Sequence, residues 1–510
     1  MVSNVKSLGL MGLDAFLVTT EADLLSGLPS FDVVGLPDTS VKESRNRVKS
    51  ALKNCNFEFP VNKITINLAP ADVKKEGSIY DLPILIAILI CSGQLSANLT
   101  DCAFIGELSL GGDLCPIKGI LPMAIRAKEL GIKDLFVPAQ NANEGAVVNG
   151  INIYPVDNIK TLYLHLTGQQ KIIPAKFQPT FNVPVEYSLD FSQVKGQYEA
   201  KRALEIAAAG GHNVILIGPP GSGKSMLAKR IPTILPNMTM KEAVETTKIY
   251  SVSGMLDNKT PLITTRPFRS PHHTISPTGL SGGGSIPKPG EISLAHNGVL
   301  FLDELPEFTR SAMEILRQPI EDSEVTISRV SGTITYPCSI MLVAAMNPCP
   351  CGYYGHPSKN CICSEKIISK YLSKVSGPLL DRIDIHIEVP AIEYSDLSCQ
   401  KDEEDSKTIK NRINKARQIQ LERFKNKNIL YNAKISPDLL HKVCILSPNA
   451  ENLLKKAFDN LGLSARAYSR ILKVARTIAD LNSSEIIKSS HIAEAIQYRS
   501  LDRKYWARKQ

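Results

Sequence analysis

An eight-residue stretch, GPPGSGKS, combines glycines, a lysine and a serine in an order that suits phosphate binding. It follows the apolar residues Val214–Ile217, a predicted strand, and a helix is expected to begin near Ser225. In such a Walker A loop, backbone N–H groups surround the phosphates, the lysine holds the β- and γ-phosphates, and the serine hydroxyl binds Mg²⁺. The residues predicted to bind ATP and Mg²⁺ are Gly218, Pro219, Pro220, Gly221, Ser222, Gly223, Lys224 and Ser225.

Two acidic residues, Asp303 and Glu304, follow a second apolar stretch, Val299–Leu302. Four apolar residues in a row predict a buried parallel strand, and such sheets bind ligands at the carboxyl ends of their strands. We expect Asp303 to hold Mg²⁺ through water, and Glu304 to orient and deprotonate the attacking water. A glutamate beside the aspartate favours ATP hydrolysis over phosphate transfer to a substrate hydroxyl.

Two further polar residues are candidates for the same site. Asn347 follows the apolar strand Ile340–Ala345, where its side chain would reach the γ-phosphate side and help to place the water. Arg382 could meet the nucleotide of a neighbouring subunit. Local pairing of Arg382 with Asp381 or Asp384 explains its position equally well. If Arg382 acts on a neighbour, the active unit is a ring or a filament.

Length and composition indicate a multidomain globular chain. The 510 residues are 43% hydrophobic and 21% charged, which excludes disorder as the main state. The longest apolar run, Leu82–Cys91, is too short to cross a bilayer, and the first residues lack the apolar core of a signal peptide. We therefore expect a cytoplasmic protein with no membrane partner, whose cysteines are reduced unless a metal holds them.

Four of the eleven cysteines lie within fifteen residues, in the pattern C-x-C-x₉-C-x-C. In a reducing compartment a disulfide framework is not expected, and four thiolates suit a structural Zn²⁺. Four free thiols are the alternative, because C-x-C is less typical of zinc sites than C-x₂-C. The predicted zinc ligands are Cys349, Cys351, Cys361 and Cys363.

The net charge of +9 is concentrated after residue 400, where 23 lysines and arginines outnumber 12 acidic residues. Basic residues are densest in residues 407–427, where Ile409, Ile413 and Ala416 fall on helical spacing and predict an amphipathic helix. Its basic face is either a solvated surface or a patch that neutralises DNA phosphates. The candidates for DNA binding on this helix are Lys410, Arg412, Lys415 and Arg417.

The order of elements predicts a multidomain α/β protein. Residues 1–165 alternate short strands with helices, residues 166–190 hold three prolines and predict a linker, and residues 191–391 alternate strands and helices as in a parallel sheet. Residues 392–510 are predicted to be helical, with helices that start at Ser436, Ser447 and Ser464.

Together these residues resemble the AAA+ ATPases of the magnesium-chelatase-like branch, and most closely the bacterial YifB/ComM family. The resemblance covers essentially the whole chain and implies an N-terminal Lon-protease-like α+β domain, a central AAA+ domain with a P-loop parallel sheet, and a C-terminal helical lid. The strings that carry it are Arg266–His273 (RPFRSPHH), Lys288–Ile292 (KPGEI), Leu302–Phe308 (LDELPEF), Ala344–Gly352 (AAMNPCPCG), Gly377–Asp384 (GPLLDRID) and Ala475–Leu481 (ARTIADL).

The resemblance also implies roles for single residues. Asn347 would be the sensor-1 residue, Arg382 the arginine finger, and Arg466 the sensor-2 arginine at the start of a lid helix. Arg470, one helical turn later, is a rival for the sensor-2 role. The histidines of the RPFRSPHH string have no assigned role and no evident metal partner.

Two insertions are implied within residues 191–391, in helix 2 and before sensor 1. The glycine-rich residues 279–285 predict a flexible loop, and the alternating residues 325–336 predict a β-hairpin. In this branch such insertions point into the ring channel. Arg329 on the hairpin could therefore touch a DNA backbone, or it is a solvent-exposed structural residue.

The N-terminal domain lacks the residues that a Lon-type protease requires, namely a serine in a small loop and a lysine in a later helix. In EGSIYDLP the nucleophile position falls on Ile79 rather than on Ser78. In PIKGILP the lysine position falls on Leu121 rather than on Lys118. We therefore predict that this domain is not proteolytic.

Three functions fit these observations. The preferred one is a DNA-translocating ring motor, a hexameric branch-migration helicase that acts on recombination intermediates during natural transformation. It would bind branched or single-stranded DNA with little sequence specificity. The alternatives are a magnesium-chelatase-type insertion of Mg²⁺ into a porphyrin, and an ATP-dependent protease or protein remodeller.

Overall fold

The computed structural model describes residues 2–177, 188–257, 260–284, 287–329, 332–356, 358–391, 403–425, 427, 429–461 and 463–506. The chain forms two compact units, residues 1–183 with 240–264, and residues 184–239 with 265–510. Among the described residues, no helix combines the length and the apolar character needed to span a membrane. The middle of the predicted linker, residues 178–187, and the predicted boundary at residue 392 lie outside the described residues.

The first unit is built on a seven-stranded mixed sheet. The first two strands of the chain are long and form an antiparallel pair within it. In spatial order its strands are Ser30–Val34, Lys63–Ala69, Asp14–Leu25, Val2–Met11, Cys102–Phe104, Asp134–Pro138 and Asn152–Val156. A small pair, Glu107–Leu108 and Leu114–Cys115, lies apart from it. The helices are Thr39–Asn54, Asp81–Cys91, Ile120–Glu129, Ala142–Gly145, Ile159–Leu166 and Met240–Ser253.

The longest apolar run of the sequence forms the core helix of this unit. Every residue of helix Asp81–Cys91 is buried except Ile90, which is partly buried. Because the helix is apolar on all sides, it suits a position enclosed by sheet and helices. The run that the sequence analysis found too short to cross a bilayer therefore lies in the core of this unit.

Residues 240–264 belong to the first unit, although the sequence prediction placed them in the central domain. Ala243 and Leu262 are buried in one apolar cluster with Leu121 and Val147. The Ser251 hydroxyl also donates a hydrogen bond of 2.5 Å to a carboxylate of the same unit, that of Glu144. Burial of these apolar side chains explains the grouping, because about 25 cal/mol is gained for each Å² removed from water.

The second unit is centred on a five-stranded sheet in which all described strand pairs are parallel. In spatial order its strands are Phe268–Arg269, Val299–Leu302, Met341–Met346, Val214–Ile217 and Ile385–Glu388. The three central strands are buried throughout, which accounts for their uninterrupted apolar sequences. Parallel strands end at one edge of the sheet, so the residues that follow them can converge there.

Helices and two small strand pairs surround this sheet. The helices are Tyr198–Gly210, Lys224–Ile234, Pro277–Ser281, Glu291–Leu294, Arg310–Ile315, Arg317–Asp322, Glu365–Leu372, Gly377–Leu380, Ser406–Arg423, Pro437–Val443, Pro448–Leu461, Ala465–Leu481 and Ser489–Gln497, with a π-helical turn at Asp502–Trp506. Short 3₁₀ turns lie at Phe191–Gln193, Leu305–Glu307 and Asn432–Lys434. The strand pairs are Gly282–Gly283 with Lys288–Pro289, and Glu324–Arg329 with Gly332–Pro337.

The C-terminal helices begin where the sequence predicted, after Ser436, Ser447 and Ser464. These helices share one hydrophobic core with the parallel sheet, to which they contribute Leu440, Leu454 and Ile471. Because the predicted lid and the predicted ATPase core share these contacts, they form one compact unit. The separate domain boundaries stay a prediction.

The prediction of a flexible loop at residues 279–285 is wrong for most of that segment. Gly279 lies in helix Pro277–Ser281, and its N–H donates to the Ser276 hydroxyl at 3.0 Å. A Cβ on Gly282 would lie 2.4 Å from the carbonyl oxygen of Lys288. Gly282 therefore permits a close approach of two strands rather than flexibility, while residues 285–286 lie outside the described residues. The predicted hairpin is confirmed on both sides of residues 330–331, which are also not described.

Candidate functional site

The GPPGSGKS loop connects strand Val214–Ile217 to helix Lys224–Ile234, as the sequence predicted. Gly221 and Gly223 have φ angles of +80° and +90°, in the left-handed region that favours glycine. A Cβ added to either glycine would meet no atom within 4 Å. The loop therefore has the tight backbone path and the open inner side that a phosphate cradle needs.

The ammonium group of Lys224 is held at the centre of this loop. Its Nζ donates to the carbonyl oxygens of Gly218 and Pro219 at 2.7 and 2.8 Å, and to Oδ1 of Asn347 at 3.2 Å. Burial lowers the pKa of Lys224 to about 8, although two nearby carboxylates oppose the shift. The structure thus brings the predicted sensor residue Asn347 into direct contact with the predicted phosphate-binding lysine.

A hydroxyl and a carboxylate meet beside the lysine. Ser225 Oγ donates to Asp303 Oδ2 at 2.6 Å, which joins the loop to the end of strand Val299–Leu302. Oxygen donors of this kind are the ligands that Mg²⁺ prefers, together with substrate phosphates and water. The residues present therefore fit a Mg²⁺–nucleotide complex, in which the metal would neutralise charge on the β- and γ-phosphates.

Glu304 follows Asp303 with a backbone in the left-handed region, at φ +53°, and its side chain is 59% exposed. Its Oε2 lies 3.5 Å from Nδ1 of His273. The sequence prediction left His273 without a role. A signal was present, because His273 closely follows strand Phe268–Arg269, which pairs with the strand that leads to Glu304.

Arg382 is buried and engaged within its own unit. It donates to the carbonyl oxygen of Pro378 at 2.7 Å and forms an ion pair of 2.5 Å with Glu321. Local pairing was one of the two interpretations of the sequence, but the expected partners were Asp381 or Asp384. Glu321 is 61 residues away in sequence, so spacing along the chain could not reveal it. The arginine-finger role stays a prediction.

The two candidates for the sensor-2 role differ in their surroundings. Arg470 forms an ion pair with Asp384, which is buried. Arg466 lies in the first turn of helix Ala465–Leu481 and is exposed. Because Arg470 already neutralises a buried carboxylate, this arrangement favours Arg466 as the arginine available to a nucleotide.

The four clustered cysteines come together in space. Their sulfur atoms all lie within 4.8 Å of one another, and the Sγ of Cys361 lies 3.7 and 3.5 Å from those of Cys349 and Cys351. Four thiolates at this separation fit tetrahedral Zn²⁺. The same loop borders the phosphate loop, since a Cβ on Gly352 would lie 2.4 Å from Cδ of Pro220. Zn²⁺ would supply cross-links here rather than chemistry.

We expect purified protein to carry about one Zn²⁺ per chain. Removal of the metal by a chelator should lower the unfolding temperature and weaken ATP binding, because the cysteine loop packs against Pro220. Cys361→Ser should reproduce both effects, whereas Cys115→Ser, outside the cluster, should reproduce neither. Metal analysis with thermal unfolding tests this, and zinc-free protein with an unchanged unfolding curve would contradict it.

The basic helix predicted at residues 407–427 is confirmed as Ser406–Arg423, with Ile409, Ile413 and Ala416 buried. Arg412 forms ion pairs with Glu205, at 2.5 Å, and with Glu404. These contacts favour a structural role for Arg412.

The other basic residues of this helix differ in exposure. Arg417 donates to the carbonyl oxygens of Leu430 and Ala208, both at 3.2 Å, and stacks over the Tyr431 ring. Burial lowers the pKa of Lys410. Lys415 is exposed, as is Arg329 on the hairpin. DNA binding by any of these residues stays a prediction.

The nucleophile position of a Lon-type protease is occupied by Ile79, which is partly buried, and the neighbouring Ser78 is engaged with another side chain. Ser78 donates its hydroxyl hydrogen to Glu107. Leu121, at the predicted lysine position, is fully buried in an apolar cluster. These contacts give no serine–lysine pair at the two positions compared.

Three family models match the chain. The model of magnesium chelatase, subunit ChlI, matches residues 190–397, a second model of subunit ChlI of Mg-chelatase matches residues 20–141, and the magnesium chelatase subunit ChlI C-terminal model matches residues 403–499. With the parallel sheet and its phosphate loop, these matches define a magnesium-chelatase-like AAA+ ATPase, a class for which ATP and Mg²⁺ are implied.

Similarity to individual proteins identifies the family within this class. The chain is 45% identical over 500 residues to competence protein ComM of Haemophilus influenzae, covering 97% of this chain and 96% of the relative. It is 45% identical over 504 residues to the protein YifB of Escherichia coli, covering 98% of each. The chain belongs to the YifB/ComM family. A partial similarity to Lon protease 2 of Bacillus subtilis, 31% identical over 145 residues, covers 26% of each chain.

Proposed function

We propose that this protein is an ATP-driven ring motor that translocates DNA, and that it acts as a branch-migration helicase on recombination intermediates during natural transformation. The observation that carries the proposal is the full-length similarity to a relative named as a competence protein. ATP hydrolysis is supported by the convergence of Lys224, Ser225, Asp303 and Asn347 at one edge of the parallel sheet.

In the proposed cycle, the backbone of the loop and Lys224 hold the phosphates, while Ser225 and Asp303 hold Mg²⁺. Glu304 accepts a proton from the attacking water, and Asn347 helps to place that water. The three N–H groups of Lys224 have protein partners, so the lysine exchanges at least one of them for a phosphate oxygen. Ser225 and Asp303 are already held together by a hydrogen bond, so this pair is preorganised. Preorganised charge reduces the reorganisation needed as negative charge develops.

Subunit assembly is part of the proposal. A guanidinium supplied by a neighbouring subunit stabilises the charge that develops during phosphoryl transfer. If Arg382 has this role, its pairing with Glu321 is exchanged for the phosphate of the neighbour when a hexameric ring forms. Oligomer assembly on ATP would then accompany hydrolysis.

DNA should stimulate ATP hydrolysis if the proposal is correct. We expect the steady-state ATPase rate to rise several-fold with a four-way junction, less with single strands and least with linear duplex. DNA binding should weaken steeply as salt rises, because phosphate contacts release counterions. A rate and a particle size in ATP that are both indifferent to DNA would overturn the proposal.

Variants of two exposed basic residues test whether these side chains contact DNA. In Lys415→Gln and in Arg329→Gln, we expect a shallower dependence of log affinity on log salt concentration. The slope should fall in magnitude by about one for each DNA phosphate that the variant no longer neutralises. Lys128→Gln, on a helix of the first unit, is the matched control and should leave the slope unchanged. Unchanged slopes for both test variants would return these side chains to a structural or solvated role.

Magnesium insertion into a porphyrin is the second candidate, because all three family models are described by a magnesium chelatase subunit. ATP-dependent metallation of a porphyrin with added chelating subunits, without any response to DNA, would favour it. Degradation of casein would instead favour the protease alternative, to which only the partial Lon similarity points.

A further inference from the structure

The C-terminal residues cover one edge of the parallel sheet. Residues 498–506, here called the C-terminal strap, directly follow helix Ser489–Gln497. Strand Ile385–Glu388 is the last strand on one side of the sheet, and such an edge strand exposes backbone groups that need partners. The N–H of His386 has its partner in the strap, since it donates to the carbonyl oxygen of Tyr498 at 2.9 Å. The strap is therefore attached to the sheet as well as to the helix before it.

The far end of the strap is held by a carboxylate and by a backbone carbonyl. Nζ of Lys504 donates to the two carboxylate oxygens of Glu388 at 2.8 and 2.6 Å, and the hydroxyl of Tyr505 donates to the same carboxylate at 3.0 Å. The indole N–H of Trp506 donates to the carbonyl oxygen of Leu372 at 3.3 Å. Because Tyr505 is also buried, this end of the strap has a defined position on the sheet.

The strap also contacts the cysteine loop, residues 349–363, and the helix that follows this loop. The ring of Tyr505 meets the ring of Tyr354 edge-on, with 6.4 Å between the centroids, a favourable arrangement of two aromatic rings. The hydrogen bond of Trp506 is made to the last residue of helix Glu365–Leu372. Tyr354 lies between the two pairs of cysteines, so the strap restrains the segment that must close around a metal ion.

The cysteine loop connects the strap to the nucleotide site. Gly352 of this loop lies so close to the phosphate loop that an added Cβ would be 2.4 Å from Cδ of Pro220. A contiguous set of contacts therefore runs from helix Ser489–Gln497, through Tyr505 and the cysteine loop, to the phosphate loop. Packed side chains that form such a set can carry energetic coupling between two sites.

We propose that the C-terminal strap is a metal-dependent conformational device. The strap is docked on the sheet edge when the four cysteines hold Zn²⁺, and it is released when they do not. The docked strap in turn strengthens the binding of Zn²⁺ by the cysteines and of ATP by the phosphate loop. By thermodynamic linkage, docking raises the metal affinity by the same factor by which the metal favours docking. This inference involves neither DNA nor subunit assembly, so it goes beyond the proposed function.

The first test uses the fluorescence of Trp506, which is partly buried and is the single tryptophan of the chain. When a chelator removes zinc, the emission should shift to longer wavelength and acrylamide should quench it more strongly, because the indole enters water. Added Zn²⁺ should reverse both changes. Cys361→Ser should show the shifted emission without a chelator, whereas Cys115→Ser, outside the cluster, should emit as wild type does. Far-ultraviolet circular dichroism measures in parallel whether the helices stay folded.

The second test measures the reciprocal effect of the strap on the metal. Lys504→Gln and Tyr505→Ala each remove a contact with Glu388, and each should weaken Zn²⁺ binding, measured against a competing chelator, about tenfold. The affinity for a fluorescent ATP analogue should fall in the same variants. Lys504→Arg, which can keep the ion pair, should retain both affinities. The exposed Lys442, on another helix of the second unit, provides the matched control Lys442→Gln.

Four results would overturn the inference. The first is an unchanged Trp506 emission in protein that has lost its zinc, and the second is an unchanged zinc affinity in both strap variants. The third is a general loss of helical signal when zinc is removed, because the metal would then hold the whole unit and not the strap. Protein that binds no zinc is the fourth, and it would overturn the metal prediction as well.

Discussion

Replacement of Glu304 by glutamine is expected to lower ATP turnover roughly a thousand-fold while ATP binding is retained. Glutamine keeps the size of the side chain but cannot accept the proton of the attacking water. The loop, Lys224 and the Ser225–Asp303 pair are untouched, so the groups expected to hold the nucleotide remain in place. Steady-state turnover together with the affinity of a fluorescent ATP analogue measures both halves of the expectation.

Two further variants serve as controls for Glu304→Gln. Glu307→Gln changes an acidic residue in the turn that directly follows Glu304, where it pairs with Lys374 at 3.2 Å, and should leave turnover near wild type. Lys224→Ala should abolish nucleotide binding itself, since it removes the ammonium group from the loop. Turnover of Glu304→Gln within about tenfold of wild type would show that the general base lies elsewhere.

Replacement of Arg470 by alanine is expected to destabilise the second unit by about 3–5 kcal/mol. Asp384 is buried, and besides Arg470 it contacts the backbone N–H of Asn213 at 3.0 Å and Nδ1 of His212 at 3.6 Å. Loss of the guanidinium would leave a buried carboxylate without its main counter-charge. Chemical denaturation of the variant and the wild type at neutral pH measures the difference.

The pH dependence of this difference has a definite sign. Burial alone would raise the pKa of Asp384, but Arg470, His212 and the Asn213 N–H together hold it below the ordinary value for an aspartate. In the wild type, the Arg470–Asp384 pair therefore contributes stability at pH values above the ordinary pKa of an aspartate. This contribution is lost as the pH falls through the folded-state pKa of Asp384. In Arg470→Ala, burial has the larger effect on the pKa of Asp384. The charged carboxylate therefore lowers the free energy of unfolding of the variant at neutral pH, and this loss is smaller in acid, where the carboxylate is protonated. The gap between the two proteins should narrow as the pH falls.

Arg466→Ala is the matched control on the same helix. Arg466 is exposed in the first turn, so its removal should change the free energy of unfolding by no more than about 0.5 kcal/mol. A reduced ATPase rate in this variant would agree with the sensor-2 role proposed for Arg466. Equal stability of Arg470→Ala and Arg466→Ala would contradict the structural role assigned to the Arg470–Asp384 pair.

Local patterns determined much of this molecule from the sequence alone. The phosphate loop was predictable because glycine conformation, the preceding apolar strand and the following helix are encoded within about a dozen residues. Helix Ala465–Leu481 begins after Ser464, whose hydroxyl accepts a hydrogen bond from the N–H of Ala467, and Ile471 and Ile478 lie at helical spacing and are buried. Helix Pro437–Val443 also begins after a serine, with a proline at its first position. Four cysteines in one short segment likewise predicted a cluster of thiols, and their sulfur atoms lie within 4.8 Å of one another.

Tertiary structure decided which distant groups are partners. Arg382 pairs with Glu321 rather than with a neighbouring aspartate, Arg470 takes Asp384, and His273 reaches Glu304. Each of these contacts depends on strand register or on the packing of a helix against another element. Spacing along a chain does not encode such quantities. The same reason explains residues 240–264, whose apolar side chains are buried in the first unit although their position in the sequence suggested the second.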